Sequence, residues 1–433
     1  MANDAVVILG SGGREHALAW KIAQQLPGEK IFVLPGNPGI AECATCVDID
    51  PNDSDAVLAF CRDNAIDFVI VGPEDPLANG IADVLRGSGI SVLGPGKQAA
   101  QLEADKWFAK EVMKSALVPT ADAKTFTDHE SAATYISRRG APLVIKAAGL
   151  AKGKGVSVCF RTEDALDAAE RIMKQNEFGD AGARVLVEDY LKGPEVSVLA
   201  LVDGDSLFVF DPAQDHKQRD DGDTGPMTGG MGAYTPTPIL DDATLAKIER
   251  DILIPTVDAL RRDGIDFRGI LYAGLMLTEA GPKVLEYNVR FGDPECQPLM
   301  MRLRGDVLGA FRAAADGELA DMSDLDLRFD PRPSCCVVLA SGGYPGKYKT
   351  GHVITGIADA DQDENVKVFH AGTVESNGEL VTAGGRVLGV TALGDTLEEA
   401  TAAAYAAVEK ISFDGIQYRR DIAGRPELRG ASA

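Results

Sequence analysis

Four short apolar runs, residues 6–9, 31–34, 68–71 and 90–93, punctuate the first hundred positions. Each ends on a cluster of Gly or Pro: Gly10-Ser11-Gly12-Gly13, Gly36-Asn37-Pro38-Gly39, Gly72-Pro73-Glu74 and Gly94-Pro95-Gly96. Between them the apolar spacing lengthens to a helical period, as at Ala17, Leu18, Trp20, Ile22 and Ala23, with a further helix expected around 53–64. Continuous apolar strands alternating with helices predict a parallel α/β sheet over residues 1–100, covered on both faces. Ligands of such sheets bind beyond the carboxyl ends of the strands, where all four turns fall.

The pattern changes near residue 101. A helix over 101–115 precedes a strand, a helix, a strand, a Gly-rich loop and another strand ending near 160. A helix over 163–175 follows, then strands at 183–188, 196–202 and 207–210 that read as antiparallel. The polar, Gly-rich stretch 215–234 predicts a functional loop with little regular structure. A helix over 241–262, a hairpin pairing 269–277 with 283–287, and a helix within 306–315 complete a mixed α+β region. That region spans 101–325, with a subdomain at about 120–192. Residues 326–425 carry strands at 335–339, 367–370 and 386–392, then an amphipathic helix over 397–411, and read as a separate α+β domain. The expected fold class is therefore a multidomain α/β and α+β protein.

Charge narrows the partners. The 433 residues hold 43 Lys and Arg against 66 Asp and Glu, a net charge of −23. An acidic surface repels nucleic acid and anionic membranes, which excludes both as main partners. It leaves room for an anionic small molecule held in a local pocket of Arg, Lys and backbone N–H groups. No apolar run is long enough to span a membrane and no basic segment precedes the first apolar run, so a cytoplasmic protein is expected. Seven cysteines fit free thiols in a reducing compartment. Cys43 and Cys46 have CxxC spacing without the second pair or His cluster that a zinc site needs. Cys335-Cys336 sits in an apolar run and reads as buried.

Three stretches carry chemistry. The turn Gly10-Ser11-Gly12-Gly13-Arg14-Glu15 has Glu15 where a dinucleotide fingerprint requires its third Gly, and Pro35 where the ribose acid would end the second strand. What remains is either a helix N-terminus that cradles a phosphate monoester beside Arg14 and His16, or a turn that only permits tight packing. Residues 146–155 place three lysines and three glycines between two strands, which suits either a flap closing over a polyphosphate or a solvated, charged hairpin, although no P-loop pattern fits. Lys146 directly follows an apolar run, so its stem is expected to pack and its ammonium to be aimed. Finally, Glu286, Asn288 and Arg290 alternate along one strand and share a face, with Leu285, Tyr287 and Val289 on the buried side. That face is either a pair of hard oxygen ligands, Glu286 and Asn288, with the reach to hold one Mg²⁺ (or Mn²⁺) while Arg290 meets phosphate oxygens, or an exposed polar face of an edge strand.

The order strand-Lys146, Gly-rich loop, acidic segment at Glu188-Asp189-Tyr190-Leu191 and E-x-N-x-R strand resembles the ATP-grasp superfamily. Further motifs sharpen this: Gly10 to His16, Gly36 to Gly39, Gly72-Pro73-Glu74, Asp215-His216-Lys217, Gly229 to Tyr234, Glu286 to Glu295 and Gly342 to Gly346. In that order they resemble the phosphoribosylamine–glycine ligase family over residues 4–425. The resemblance implies an N-terminal pre-ATP-grasp domain, a central ATP-grasp region and a C-terminal domain. It also implies a reaction of purine synthesis: ATP, glycine and 5-phosphoribosylamine give glycinamide ribonucleotide, ADP and phosphate. By the same resemblance Lys106 and Lys146 hold ATP phosphates under a flap of Lys152, Gly153, Lys154 and Gly155. Glu188, Asp189 and Leu191 bind adenine, Glu195 binds ribose, and Glu286 and Asn288 carry the metal. Arg290, Lys217 and Lys146 are the catalytic candidates. Gly10, Ser11, Gly12, Gly13, Arg14, Gly36, Asn37, Pro38, Gly39 and Glu74 are the candidates for phosphoribosylamine, with Asp215, Gly229, Gly230 and Asp293 completing the substrate set. Many ATP-grasp enzymes carry another metal carboxylate on the preceding strand; here that place holds Gly274, while Glu279 lies in the hairpin turn. A monomer is implied, with at most transient contact to the enzyme that supplies phosphoribosylamine. The alternatives are another ATP-grasp carboxylate–amine ligase, a dinucleotide oxidoreductase and a nucleotide-binding module without catalysis.

Overall fold

The computed structural model describes residues 5–151, 155–320 and 327–424. Its first sheet runs in the order Thr45–Cys46, Ile31–Pro35, Val6–Gly10, Phe68–Val71, Ser91–Leu93, with every neighbouring pair parallel. Val6–Gly10 is central and buried at every position, the reason its sequence shows no alternation. The edge strand Thr45–Cys46 is two residues long and carries no apolar run, so periodicity could not find it. The chain winds outward from Val6–Gly10 to one side and then crosses to the other. That places the turns at 10–13, 36–39 and 72–74 together at one end of the sheet.

Residues 123–189 build a four-stranded antiparallel sheet, ordered Ala123–Phe126, Val185–Asp189, Leu143–Ala147, Val156–Cys159. The helices His129–Arg139 and Thr162–Met173 share with it a small core of Ile136, Ile145, Ala165, Ile172 and Val187. A third sheet, also antiparallel, orders Leu207–Val209, Glu195–Asp203, Arg268–Thr278 and Gly281–Asn288. Val185–Asp189 and Glu195–Asp203 thus belong to different sheets although they are neighbours in sequence. Alternate residues of the third sheet enter two cores: Val198, Ala200 and Ala273 pack with Val7, Leu9 and Val69, while Leu199, Leu201 and Ile270 pack with Ile8, Ile31 and Ile70. The N-terminal and third sheets therefore contribute to the same two cores.

Three expectations need correction. The helix predicted over 101–115 is two helices, Gln101–Ala104 and Lys106–Ser115. Asp105 leaves helical geometry between them and caps the second, accepting from the Trp107 N–H at 2.9 Å. The stretch 215–234 is not devoid of regular structure: it contains Gln218–Asp220 paired with Thr224–Met227, and Gly232–Thr235. The last of these joins the C-terminal sheet beside Ser334–Ser341, together with Gln214–Asp215, Arg386–Leu393 and Val366–His370. Partners distant in sequence supply that ladder and bury Tyr234, so local composition gave no sign of it. Finally, the register shifts between Gly274 and Leu275, which leaves Leu285 without a ladder partner and only half-buried, while Val284 takes the buried place. The helix Leu397–Val408 covers the C-terminal sheet, and among the described residues no helix is long and apolar enough to cross a membrane.

Candidate active site

Lys146 is buried near the end of Leu143–Ala147 and donates to Glu188 Oε2 at 2.8 Å and to the Leu285 carbonyl at 3.0 Å. The second bond exists because Leu285 is the bulged residue. Glu188 also binds Lys110 Nζ at 3.2 Å. Burial works against the Glu188 charge, yet Lys146 and Lys110 hold its carboxyl below the usual range. Lys110 spends its other donors on Thr120 Oγ1 at 2.8 Å and the Ala121 carbonyl at 3.0 Å. Lys106, the first residue of its helix, reaches the Gly149 carbonyl at 3.2 Å, and burial lowers its pKa. Asp189 does not join this group, since its carboxylate is gripped by Arg139 at 2.8 Å.

Glu286 and Asn288 stand on Gly281–Asn288, whereas Arg290 lies two residues beyond the strand's end, so the expected three-residue strand face is only partly formed. Burial disfavours the Glu286 charge, but Lys217, Lys146, Lys106 and Arg290 together pull its pKa down. Lys217 Nζ stands 3.5 Å from Glu286 and forms a close pair with Glu195. Arg290 is clamped between Glu103 at 2.7 Å and Glu74 at 3.3 Å, and its Nη2 donates to Asn288 Oδ1 at 3.3 Å. Burial opposes the Glu74 charge, but Arg290 and Arg14 hold its pKa at about 2. Cations from four separate segments thus converge on one carboxylate, with the Asn288 amide oxygen two residues along the same strand. Among the described residues no group of three or more His, Cys, Asp or Glu is placed to hold a metal. Glu286 and Asn288 offer two hard oxygens, fewer than a divalent ion needs, so an ion there would have to take its other ligands from elsewhere. Gly274 lies directly across from Glu286, and a Cβ there would come within 3.4 Å of the Glu286 Cγ.

The N-terminal turn differs from its sequence reading. Gly10 (φ +121°) and Gly72 make room for Glu15: a Cβ on Gly10 would lie 2.7 Å from its side chain, and one on Gly72 only 2.0 Å from it. Glu15 reaches back to the Gly12 N–H at 2.6 Å and binds Arg14 Nε at 2.6 Å. Asp293 takes the Arg14 backbone N–H and the Gln297 amide. The expected cradle of exposed amides is thus partly filled by two of the chain's own carboxylates. Arg14 is 7% exposed and bound to the Phe291 carbonyl at 3.0 Å. His16 leaves the cradle altogether, since it is buried and accepts from the His370 N–H at 2.8 Å. Asn37 holds the neighbouring turn by donating to the Ser11 and His370 carbonyls at 2.8 and 2.9 Å, with Pro38 half-buried and Gly39 against His16.

Asp215 is buried, and desolvation together with Glu295 pushes its carboxyl well above the usual range. Glu295 itself accepts from Tyr272 at 2.9 Å and Ser197 at 3.2 Å. Sequence reasoning missed Glu103, Lys110, Tyr272 and Arg386. The charged ones among them stand in no motif, and only their contacts reveal them; Glu295, at the end of the Glu286 run, was in view but given no role. Lys152, Gly153 and Lys154 lie outside the described residues, whereas Gly155 accepts from the Ala147 N–H at 2.8 Å. All seven cysteines are free thiols, and burial raises the Cys43 and Cys46 pKa values.

Comparison with known proteins agrees with this layout. Residues 4–103, 104–296 and 334–425 match, in turn, the N domain, the ATP-grasp (A) domain and the C domain of phosphoribosylglycinamide synthetase. The chain belongs to the phosphoribosylglycinamide synthetase family. It is 53% identical over 431 residues to a phosphoribosylamine–glycine ligase of Rhodopirellula baltica, covering 98% of each chain. A relative of the same name from Rhizobium meliloti is 50% identical, covering 98% of this chain and 99% of its own. Among solved structures, the phosphoribosylamine–glycine ligase of Thermotoga maritima superposes with a TM-score of 0.84 at 34% identity, covering 96% of this chain and 100% of that one. The biotin carboxylase domain of the 2-oxoglutarate carboxylase of Hydrogenobacter thermophilus, solved with MgADP, shares the fold at 18% identity, with a TM-score of 0.73 over 99% of this chain and 95% of that one.

Proposed function

We propose that this chain is an ATP-dependent ligase that joins glycine to 5-phosphoribosylamine, giving glycinamide ribonucleotide, ADP and phosphate in purine biosynthesis. The observation that carries the reading at the site is the Glu286 carboxylate ringed by Lys106, Lys146, Lys217 and Arg290. Such a ring suits a polyphosphate and the charge that moves on it. In our assignment Lys106 and Lys146 hold ATP phosphates, the segment 188–191 receives adenine, and Glu195 receives the ribose hydroxyls. The glycine carboxylate attacks the γ-phosphorus and ADP leaves, with Arg290 and Lys217 countering the negative charge. The amine of phosphoribosylamine then attacks the resulting acyl phosphate and expels phosphate. The turns at 10–14, 36–39 and 72–74 take the sugar phosphate, and Asp215, Gly229, Gly230 and Asp293 line the side where the amine arrives.

Glu286 and Asn288 would hold a divalent ion, Mg²⁺ or Mn²⁺, which when bound neutralises phosphate charge. Free thiols throughout the chain support a reducing, cytoplasmic setting. The reading is tested by phosphate release with ATP and Mg²⁺, omitting glycine or phosphoribosylamine in turn. Release is expected to need both; substantial release with neither would overturn it.

A further inference from the structure

The segment that carries Asp215, Lys217, Gly229 and Gly230 meets the central region through Lys217 and the C-terminal domain through its glycine turn. Arg386, the first residue of Arg386–Leu393, donates through Nη1 to the Gly229 carbonyl at 2.6 Å, and also to the Asp293 carbonyl. Its Nη2 lies 3.5 Å from Asp293 Oδ2. From the other side, the Gly229 N–H donates to the Tyr344 hydroxyl at 3.0 Å. Tyr344 packs on Gly385, where a Cβ would come within 2.3 Å of its ring, so the two contacts form one unit. A Cβ on Gly229 would stand 3.1 Å from the Arg386 guanidinium carbon, so any side chain there would push the guanidinium aside by a few tenths of an ångström. The same segment is pinned further along by Arg419, which is fully buried and donates to the Gln218 carbonyl at 3.1 Å and Asp223 at 2.8 Å.

From this geometry we infer that Arg386 and Tyr344 are positioning residues: they clamp the Gly229-Gly230 turn against Asp293 and so set the place of the amine substrate. The inference rests on the function proposed above. One guanidinium ties two chain segments that meet only in the folded protein, and Asp293 in turn holds the helix N-terminus at Arg14. Among the described residues the clamp makes no direct contact with Lys106, Lys146 or Glu188; its one link toward the nucleotide side runs through Thr228 to the Lys217 carbonyl.

The test uses the full-length chain, with phosphoribosylamine generated in place from ribose 5-phosphate and ammonia. Arg386→Ala is expected to raise the KM for phosphoribosylamine at least about tenfold while the KM for ATP stays within about twofold. Millimolar guanidinium added to that variant is expected to restore part of the loss, which it would not do for a mere stability defect. Tyr344→Phe removes one hydroxyl without disturbing packing, and is expected to shift the same KM several-fold in the same direction. Unchanged kinetics in Tyr344→Phe, or equal rises in both KM values in Arg386→Ala, would overturn the inference. A wild-type enzyme that ignores phosphoribosylamine would instead overturn the proposed function, and the clamp with it.

Discussion

The buried Lys146 and the half-buried Lys110 share the Glu188 carboxylate, and counting donors predicts opposite consequences for their loss. An ammonium has three donors. Lys110 commits all three, to Glu188, Thr120 and Ala121. Lys146 commits two among the described residues, to Glu188 and the Leu285 carbonyl, and keeps one for a ligand. Replacing Lys146 with Met preserves the stem and removes one charge-assisted contact to phosphate, worth roughly 1.5–3 kcal/mol. At about 1.4 kcal/mol per decade the KM for ATP should rise roughly ten- to a hundredfold. Lys110→Met should instead lower the urea midpoint and leave the KM for ATP within about twofold, because no donor of Lys110 faces the cleft. The assay is steady-state ADP formation at saturating glycine and phosphoribosylamine, paired with calorimetric titration of ADP. Equal effects of the two substitutions on nucleotide affinity would refute the donor count and the phosphate role of Lys146.

Other outcomes follow from the same geometry. Glu286→Gln should reduce turnover on the order of 10²-fold while leaving the fold intact, and near-normal turnover at limiting Mg²⁺ would show that Glu286 is no ligand. Glu74 has a folded pKa of about 2 against an ordinary 4.5, so its stabilisation is complete above pH 4.5 and disappears as pH falls towards 2. The urea midpoints of wild type and Glu74→Gln should therefore converge over that window, and a constant gap would contradict the assignment. Gly72→Ala should lower the thermal midpoint by displacing Glu15, whose carboxylate would lie 2.0 Å from the new methyl; an unchanged midpoint would count against that packing.

Much of the fold was readable because burial on both faces leaves a mark in single strands. Residues 6–9, 31–34 and 68–71 are uninterrupted apolar runs because helices cover both sides of their sheet. The pairing of Glu286 with Asn288 on one strand face was readable too, since a strand's period of two is a local property that survives even the bulge at Leu285. Arg290, by contrast, lies past the strand's end and reaches Asn288 through its side chain. Thr45–Cys46 and Gly232–Thr235 were not readable. Thr45–Cys46 is too short to show a period, Gly232–Thr235 draws its ladder from Ser334–Ser341, about a hundred residues on, and both have the composition of loops.

The same division runs through the site. Residue identity determined the available chemistry by itself: cations at 106, 146, 217 and 290, oxygen ligands at 286 and 288, and glycine where turns come close. Tertiary structure decided which groups are already engaged. It turned the N-terminal amides towards Glu15 and Asp293, turned His16 into the C-terminal domain, tied Asp189 to Arg139, and brought Arg386 to a turn 157 residues away. Local pattern encodes what a residue can do. Hydrogen bonds and ion pairs between segments remote in sequence are settled by packing, because burial obliges each polar group to take whichever partner the assembled fold puts within reach.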